Sequence, residues 1–378
     1  MVLSAACRRG ALRAARRSER GVSDVSGVRD LCAAPSLESW FSVNAAGDGR
    51  FTGSGWTPPG ARGIYGGSLV SQSMAAATQS MTDERFQIHS LHAHFLRPGD
   101  GERHVEYAVE NVRDGASFAA RHVRASQGGK AVFHASFSFH ARDDEGGICV
   151  DAREGGARLT PSGRLVLGHA GTEVPAPEEV PTMEATIEAR AARSTDAAER
   201  ARLDRLAAAF AAFPFDFRRA DFELGQPTAS RVLWIRSRHA LGGLGMQQLA
   251  LSFVTPSGIR RALGRRPSSR VARASIVCAP LPWRQASDWN LASTALLPRG
   301  IVFPHRRVAR LASLDHSMWF HREAPAFNGW VCHHVVPHSL GHSRGFCTSR
   351  MFTARDELLL SCAQEALVRL DDEAETAR

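Results

Sequence analysis

Three side chains, far apart in a chain of 378 residues, combine polarity with positions that call for a reason. Gln364 lies in the run LLLSCAQEALVR, where strand alternation sets it on the face of Leu360, Cys362, Ala366 and Val368. An amide in an apolar layer needs partners, because a buried unsatisfied polar group costs about 1–3 kcal/mol. It either bonds neighbouring backbone or serves a reactant. Asp288 stands where the apolar segment DWNLASTALL opens a short helix. A carboxylate there caps backbone N–H groups and is kept ionised by the helix dipole, and an ionised carboxylate can also act as general base on water. Ser313 lies on the strand after that helix, on the face of Asp315. No G-x-S-x-G elbow surrounds it, which argues against a hydrolase serine nucleophile.

The histidines suggest metal chemistry and then argue against it. In IHSLHAHFLR, alternation places His89 with Leu91, Ala93 and Phe95, and places His92 with His94 on the other face. No carboxylate or cysteine completes a ligand spacing, so no metal is expected. His333 and His334 are adjacent and point to opposite faces. Phosphate-cradling and dinucleotide glycine motifs are missing, as is H-E-x-x-H. The seven cysteines, at 7, 32, 149, 278, 332, 347 and 362, form no C-x-x-C pair. A reduced intracellular protein without structural zinc is the simplest reading.

These residues must be held by elements, and the elements repeat. From Ser36 to about residue 142 the pattern is one helix followed by an antiparallel meander. YGGSLVSQSMAAATQSM opens at Gly66 and Gly67, with Val70, Met74, Ala77 and Met81 on one face. HVEYAVENV, SFAARHVRA and AVFHASFSF follow IHSLHAHFLR as strands, separated by turn clusters such as Asp114-Gly115. Residues 143–213 read as a linker carrying a surface helix or two. Residues 214–370 repeat the plan: the helix at Asp288, the strand ASLDHSMWFHR, then WVCHHVV, GFCTSRMFT and LLLSCAQEALVR. The offset is roughly 225–230 residues, the mark of an internal duplication. Residues 371–378 are a tail.

The net charge of +9 does not belong to this repeated core. Residues 1–35 hold seven Arg and three acidic residues, and 254–283 hold six Arg and no acid. Neither segment interleaves aromatics with Arg as a single-strand nucleic-acid site would, so no nucleic-acid partner is expected. Residues 1–35 read as a disordered or mitochondrial-type targeting extension. Residues 254–283 read either as an inserted basic loop or as an error in the gene's reading frame. No apolar run approaches the ~18 residues of a membrane span.

HSLHAHFLRPGD, VRDGASFAARHV and GGKAVFHASFSF resemble the N-terminal half of the type II acyl-CoA thioesterases. ASDWN, SLDHSMWFHR, the SRGF stretch at 343–346 and CAQEALVR resemble the C-terminal half. The resemblance covers about residues 36–142 and 214–370, apart from the basic segment. It implies an α+β double hotdog, two tandem helix-wrapped antiparallel sheets. It also implies hydrolysis of acyl-CoA to free CoA and a fatty acid without any cofactor. The family's catalytic Asp, Ser/Thr and Gln fall on Asp288, Ser313 and Gln364. First-turn N–H groups at Gly66 and Gly67, with His89 beside them, are the weaker candidates for binding the substrate and stabilising an oxyanion. The expected partners are acyl-CoA and a second copy or more of the chain. The C-terminus ends Glu-Thr-Ala-Arg, unlike the Ser-Lys-Leu type of peroxisomal signal, so peroxisome and mitochondrion both stand as intracellular addresses. Two alternatives compete: a non-catalytic acyl-CoA-binding protein, and an enoyl-CoA hydratase. The hydratase motif needs a His five residues after the helix Asp, and Ser293 stands there.

Overall fold

The computed structural model describes residues 37–57, 63–141, 157–167, 172–220, 230–255, 291–301, 307–322, 327 and 329–370. Asp288, most of the basic segment, the N-terminal extension and the C-terminal tail lie outside them. In chain order the elements are α1 (Leu37–Phe41), β1 (Asn44–Gly47), β2 (Arg50–Ser54), α2 (Gly66–Gln79), β3 (Phe86–Phe95), β4 (His104–Asp114), β5 (Phe118–Gln127) and β6 (Lys130–Ala141). Between the two meanders come β7 (Ala157–Leu159), β8 (Leu165–Leu167), β9 (Thr172–Glu173), α3 (Met183–Arg193) and α4 (Ala197–Ala211). The second half holds β10 (Phe215–Arg219), β11 (Arg231–Ser237), α5 (Leu244–Val254), α6 (Leu291–Thr294), β12 (Val308–Ser313) and β13 (Asp315–Phe320). It ends with β14 (Val331–Gly341), β15 (Arg344–Thr353) and β16 (Leu358–Leu370).

One antiparallel sheet joins both halves, in the order β1-β2-β4-β5-β6-β3-β13-β16-β15-β14-β11-β10, with β12 also on β16. The order is palindromic about the β3–β13 pair, as a duplicated unit related by a pseudo-two-fold requires. The strand starts confirm the repeat: 104 and 331 for β4 and β14, 118 and 344 for β5 and β15, 130 and 358 for β6 and β16. This is the expected double hotdog.

Helix α2 is buried almost all round, from Gly66 through Ala77. Its Ala- and Ser-rich sequence lets the sheet wrap closely. Gln72 ties it down: Nε2 donates to the carbonyls of Trp40 (3.3 Å) and Ser54 (3.0 Å), and Oε1 accepts from the Tyr107 hydroxyl (2.7 Å). A Cβ on Gly53 would lie 2.6 Å from that Oε1, so the strand opposite can carry no side chain there.

The second half departs from expectation at its helix. The counterpart of α2 is α5, which follows Gly242-Gly243 as α2 follows Tyr65 and packs against α2. Of the segment expected to form the helix at Asp288, the described residues contribute one α-helical turn, α6, laid over β14–β16. Six residues separate α2 from β3, whereas 53 separate α5 from β12. The surplus in the second half therefore lies between its helix and its first long strand. Between the meanders, the β7–β9 sheet covers the outer face of β11 and β14 through Leu165, Leu167 and Trp234. Helices α3 and α4 turn Met183, Ile187, Leu203 and Phe210 into the main core.

The first turn of α2 meets the last turn of α5. A Cβ on Gly67 would fall 2.0 Å from the Phe253 carbonyl oxygen, while one on Gly243, at the start of α5, would meet nothing within 4 Å. Gly67→Ala is expected to destabilise the fold by about 2 kcal/mol or more through overpacking, and Gly243→Ala, which meets no neighbour, by less, about 0.5–1 kcal/mol through a poorer helix N-cap. Urea denaturation of the two variants checks the contrast, and equal effects would contradict this packing.

Candidate active site

Two β-bulges decide which side chains reach the interior. Between Ser313 and Ser317 the chain advances four residues while β16 advances three, from Ala366 to Ala363. The extra residue is Leu314. Its N–H donates to the Glu365 carbonyl (2.9 Å) and its carbonyl accepts from the Phe95 N–H (2.9 Å). The Asp315 carboxylate accepts the Glu365 N–H at 2.7 Å, which occupies a donor that the bulge would otherwise strand. As a result Ser313 and His316 both point inward, and Asp315 does not share the face of Ser313 as simple alternation predicts. Burial raises the Asp315 carboxyl above the usual range, opposed by that backbone hydrogen bond.

The other bulge lies between Ile88 and Ser90 on β3. It turns His89 onto the outer face, where Nε2 bonds the Ser138 hydroxyl at 2.8 Å and the ring meets Phe118 edge-on. His89 thus leaves the face of Leu91, Ala93 and Phe95, and the structure does not bring it to the other candidates. His92 and His94 also face outward; His92 Nδ1 is 3.0 Å from the Ser317 hydroxyl, and His94 stacks beside His134.

The structure does bring Ser313 and Gln364 together. Both are about 99% or 98% enclosed, at 1% exposure for Gln364 and 2% for Ser313, and Gln364 Nε2 donates to Ser313 Oγ at 2.8 Å. Oε1 of the same amide lies 2.9 Å from His316 Nδ1. An amide oxygen only accepts, so Nδ1 carries the ring proton. Burial pushes His316 down to about 4, so the ring is neutral and its Nε2 is an acceptor. Thr255 Oγ1, 3.2 Å away at the end of α5, supplies the donor. One directional chain results: Thr255 to His316 to Gln364 to Ser313. The Ser313 hydroxyl accepts from Gln364 and keeps its own proton for another acceptor. Sequence reasoning missed His316 and Thr255. The quoted motif SLDHSMWFHR contained His316, but without the bulge it had no assigned face.

On the four central strands, β6, β3, β13 and β16, the inner face is polar only in the second half. β3 and β6 present Leu91, Ala93, Phe133, Ala135 and Phe137. β13 and β16 present His316 and Gln364 beside Met318, Leu360 and Cys362. His316 sits directly opposite Ala93 across the central strand pair. Further along, Arg231 donates from Nη1 to Ser293 on α6 at 2.5 Å. His333 is fully buried, and neither ring nitrogen has a partner among the described residues. Burial, reinforced by His334, His316 and Arg231, pushes His333 down to about 3. Cys347 lies opposite Gln364, but burial pushes its thiol up to about 12, as it does for Cys362. Neither is a thiolate nucleophile at neutral pH.

Gly66 and Gly67 open α2 against this region. A Cβ on Gly66 would lie 2.8 Å from the Phe95 ring, and Phe95 bonds Leu314, the neighbour of Ser313. Among the described residues no His/Cys/Asp/Glu group could hold a metal ion, and no helix is long and apolar enough to cross a membrane.

The buried neutral histidines make stability depend on pH. The unfolded chain protonates them near 6.5, whereas the folded chain resists down to about 4 for His316 and 3 for His333. Their contribution is complete above about pH 6.5 and is lost as the pH falls towards those values. Each unit of difference is worth about 1.4 kcal/mol, so each ring should cost roughly 2 kcal/mol between pH 7 and 5. Urea unfolding at the two pH values should show that loss, with a smaller loss in His333→Leu. An unchanged pH slope in that variant would contradict the buried neutral ring.

Comparison with known proteins agrees with this architecture. A family model for the acyl-CoA thioesterase N-terminal domain matches residues 53–140, and one for the C-terminal domain matches residues 177–368. Acyl-coenzyme A thioesterase 8 of Mus musculus is 28% identical over 319 residues, covering 83% of this chain and 82% of the relative. Acyl-CoA thioesterase 2 of Haemophilus influenzae is 25% identical over 321 residues, covering 83% and 90%. Among solved structures, the acyl-CoA thioesterase II TesB2 from Mycobacterium marinum superposes with a TM-score of 0.60 at 22% identity, covering 90% of this chain and 99% of that one. A hot dog fold protein from Alicyclobacillus acidocaldarius gives 0.55 at 12% identity, covering 88% and 97%. With both halves matched in order along a duplicated, continuous sheet, the chain belongs to the acyl-CoA thioesterase family.

Proposed function

We propose that the chain hydrolyses acyl-CoA thioesters to free CoA and a carboxylic acid by direct attack of water, with Asp288, Ser313 and Gln364 as its catalytic residues. The observation that carries the reading is the 2.8 Å hydrogen bond from Gln364 to Ser313 in the buried interior. Two polar groups 51 residues apart are held together where burial would penalise them without a use. Ser313 and Gln364 position the water, which reduces the entropy cost of attack. Asp288 accepts the water proton. It stands three residues before Leu291, within about 10 Å of chain reach. α6 packs over Ala366, next to Gln364 on the same face, which supports that placement.

The first-turn amides at Gly66 and Gly67 stabilise the oxyanion. They have no i−4 carbonyl of their own, and they carry the positive end of the α2 dipole. The hydratase alternative loses further ground because Ser293, at the position its histidine would need, is held by Arg231. The chain also works as a homodimer or larger homo-oligomer. Phe118 and Trp319, exposed at 48% and 38% on the outer sheet face, support this. Light scattering at twice the mass of one chain or more would agree, and a monomer would not.

Release of free thiol from acyl-CoAs of short to long chain length tests the activity. Gln364→Ala and Asp288→Asn should each lower kcat by about a hundredfold or more, with KM changed little. Ser313→Ala should cost about tenfold. Wild-type turnover in a folded Gln364→Ala variant would remove the site from this proposal. Acyl-CoA binding without turnover by the wild type would favour the non-catalytic reading.

A further inference from the structure

We propose that His316 is the positioning residue of this site, fixing which way the Gln364 amide faces, and that Thr255 fixes the tautomer of His316. The inference rests on the reading of Gln364 as catalytic and adds to it.

A glutamine amide has two flips related by exchange of its oxygen and nitrogen. Both fit the same space, so packing alone does not choose between them. The choice matters for Ser313. With Nε2 towards Ser313, the hydroxyl is an acceptor and its proton is left for the reacting atoms. With Oε1 towards Ser313, the hydroxyl proton is consumed by the amide. Oε1 lies 2.9 Å from His316 Nδ1 and Nε2 lies 2.8 Å from Ser313 Oγ. The ring therefore selects the flip, provided its proton is on Nδ1.

Thr255 favours that proviso. Its hydroxyl lies 3.2 Å from Nε2, where it can donate to a neutral ring that carries its proton on Nδ1. The same hydroxyl is near the Ser252 carbonyl at a longer 3.4 Å, and near the Met318 sulfur at 3.5 Å. Both ring nitrogens of His316 are engaged, Nδ1 by Gln364 and Nε2 by Thr255. The histidine acts through Gln364, and it spans the junction between the halves: its own strand pairs with β3, and Thr255 ends the helix that packs on α2.

Leu, Asn and Gln at position 316 separate this role from mere packing. An Asn side chain places an N–H near Nδ1, whereas Gln places its amide near Nε2. In thiol-release assays His316→Leu should lose about tenfold to a hundredfold in kcat with KM within about twofold. His316→Asn should recover to within about fivefold of wild type, and His316→Gln should stay near the Leu level. Thermal unfolding of each variant gives the folded fraction to which rates are normalised. A folded His316→Leu variant with wild-type kcat, or an Asn variant no better than Leu, overturns the proposal. If His316→Leu does not fold, Thr255→Val decides: a kcat loss of about threefold to tenfold supports the role, and wild-type kcat overturns it. Gln364→Ala in the same assay keeps the two readings apart. Wild-type rates there refute the site itself, whereas an inactive Gln364→Ala beside a fully active His316→Leu refutes only the role of His316.

Discussion

The pairing of β13 with β3 on one side and with β16 on the other, with one extra residue at Leu314 against β16, is the constraint on which the rest depends. Antiparallel pairing there fuses two meanders into one sheet and sets His316 opposite Ala93. Without the extra residue, alternation would send either Ser313 or His316 to the outer face. With it, both enter the interior, within reach of one glutamine. The bulge is held by three hydrogen bonds, one of them from the Glu365 N–H to the Asp315 carboxylate. Asp315 therefore has a structural task, and its half-buried carboxylate is explained without assigning it chemistry.

The duplication gives two similar frames whose central strands differ: only those of the second half are polar on the inner face. In the first half the central strands close on α2 with Phe, Ala and Leu, and the buried polar groups further out, Gln72, Arg121 and Gln127, are bonded to backbone carbonyls, Gln72 also to Tyr107. In the second half the same layer holds His316, Gln364, Ser313, Arg231 and His333. Keeping such groups dry has a cost, visible in imidazoles forced neutral well below their ordinary range. A fold selected only for stability would repeat the apolar solution. The dense packing of α2 against α5 at Gly67 and Phe253 supplies the rigid wall against which that polar layer is organised.

Much of the fold was legible from periodicity. The helix at Gly66, the strands of both meanders and their offset all follow from apolar alternation interrupted by turn residues. Gln364 was legible because a polar residue stood in an apolar strand face, and Ser313 through its motif. What escaped did so for local reasons. A bulge inserts one residue without changing composition, so alternation misplaced His89 and Asp315 and gave His316 no face at all. Helix α5 is short, apolar and uncapped by any Ser, Thr, Asp or Asn side chain, so it carried no start signal. The one available sign was the doublet Gly242-Gly243 just before α5, which echoes Gly66-Gly67 at the start of α2. Asp288 was singled out from sequence, and it lies outside the described residues.

The most direct test of the account is a crystal structure of the full chain with a non-hydrolysable thioether analogue of an acyl-CoA. The account predicts the sulfur and the adjoining carbon on the inner face of the second half, within hydrogen-bond or van der Waals reach of Gln364 and Ser313, with Asp288 beside them and the first turn of α2 facing the position of the carbonyl oxygen. An analogue seated in the first half, or on the outer face among His92, His94 and Trp319, would contradict it.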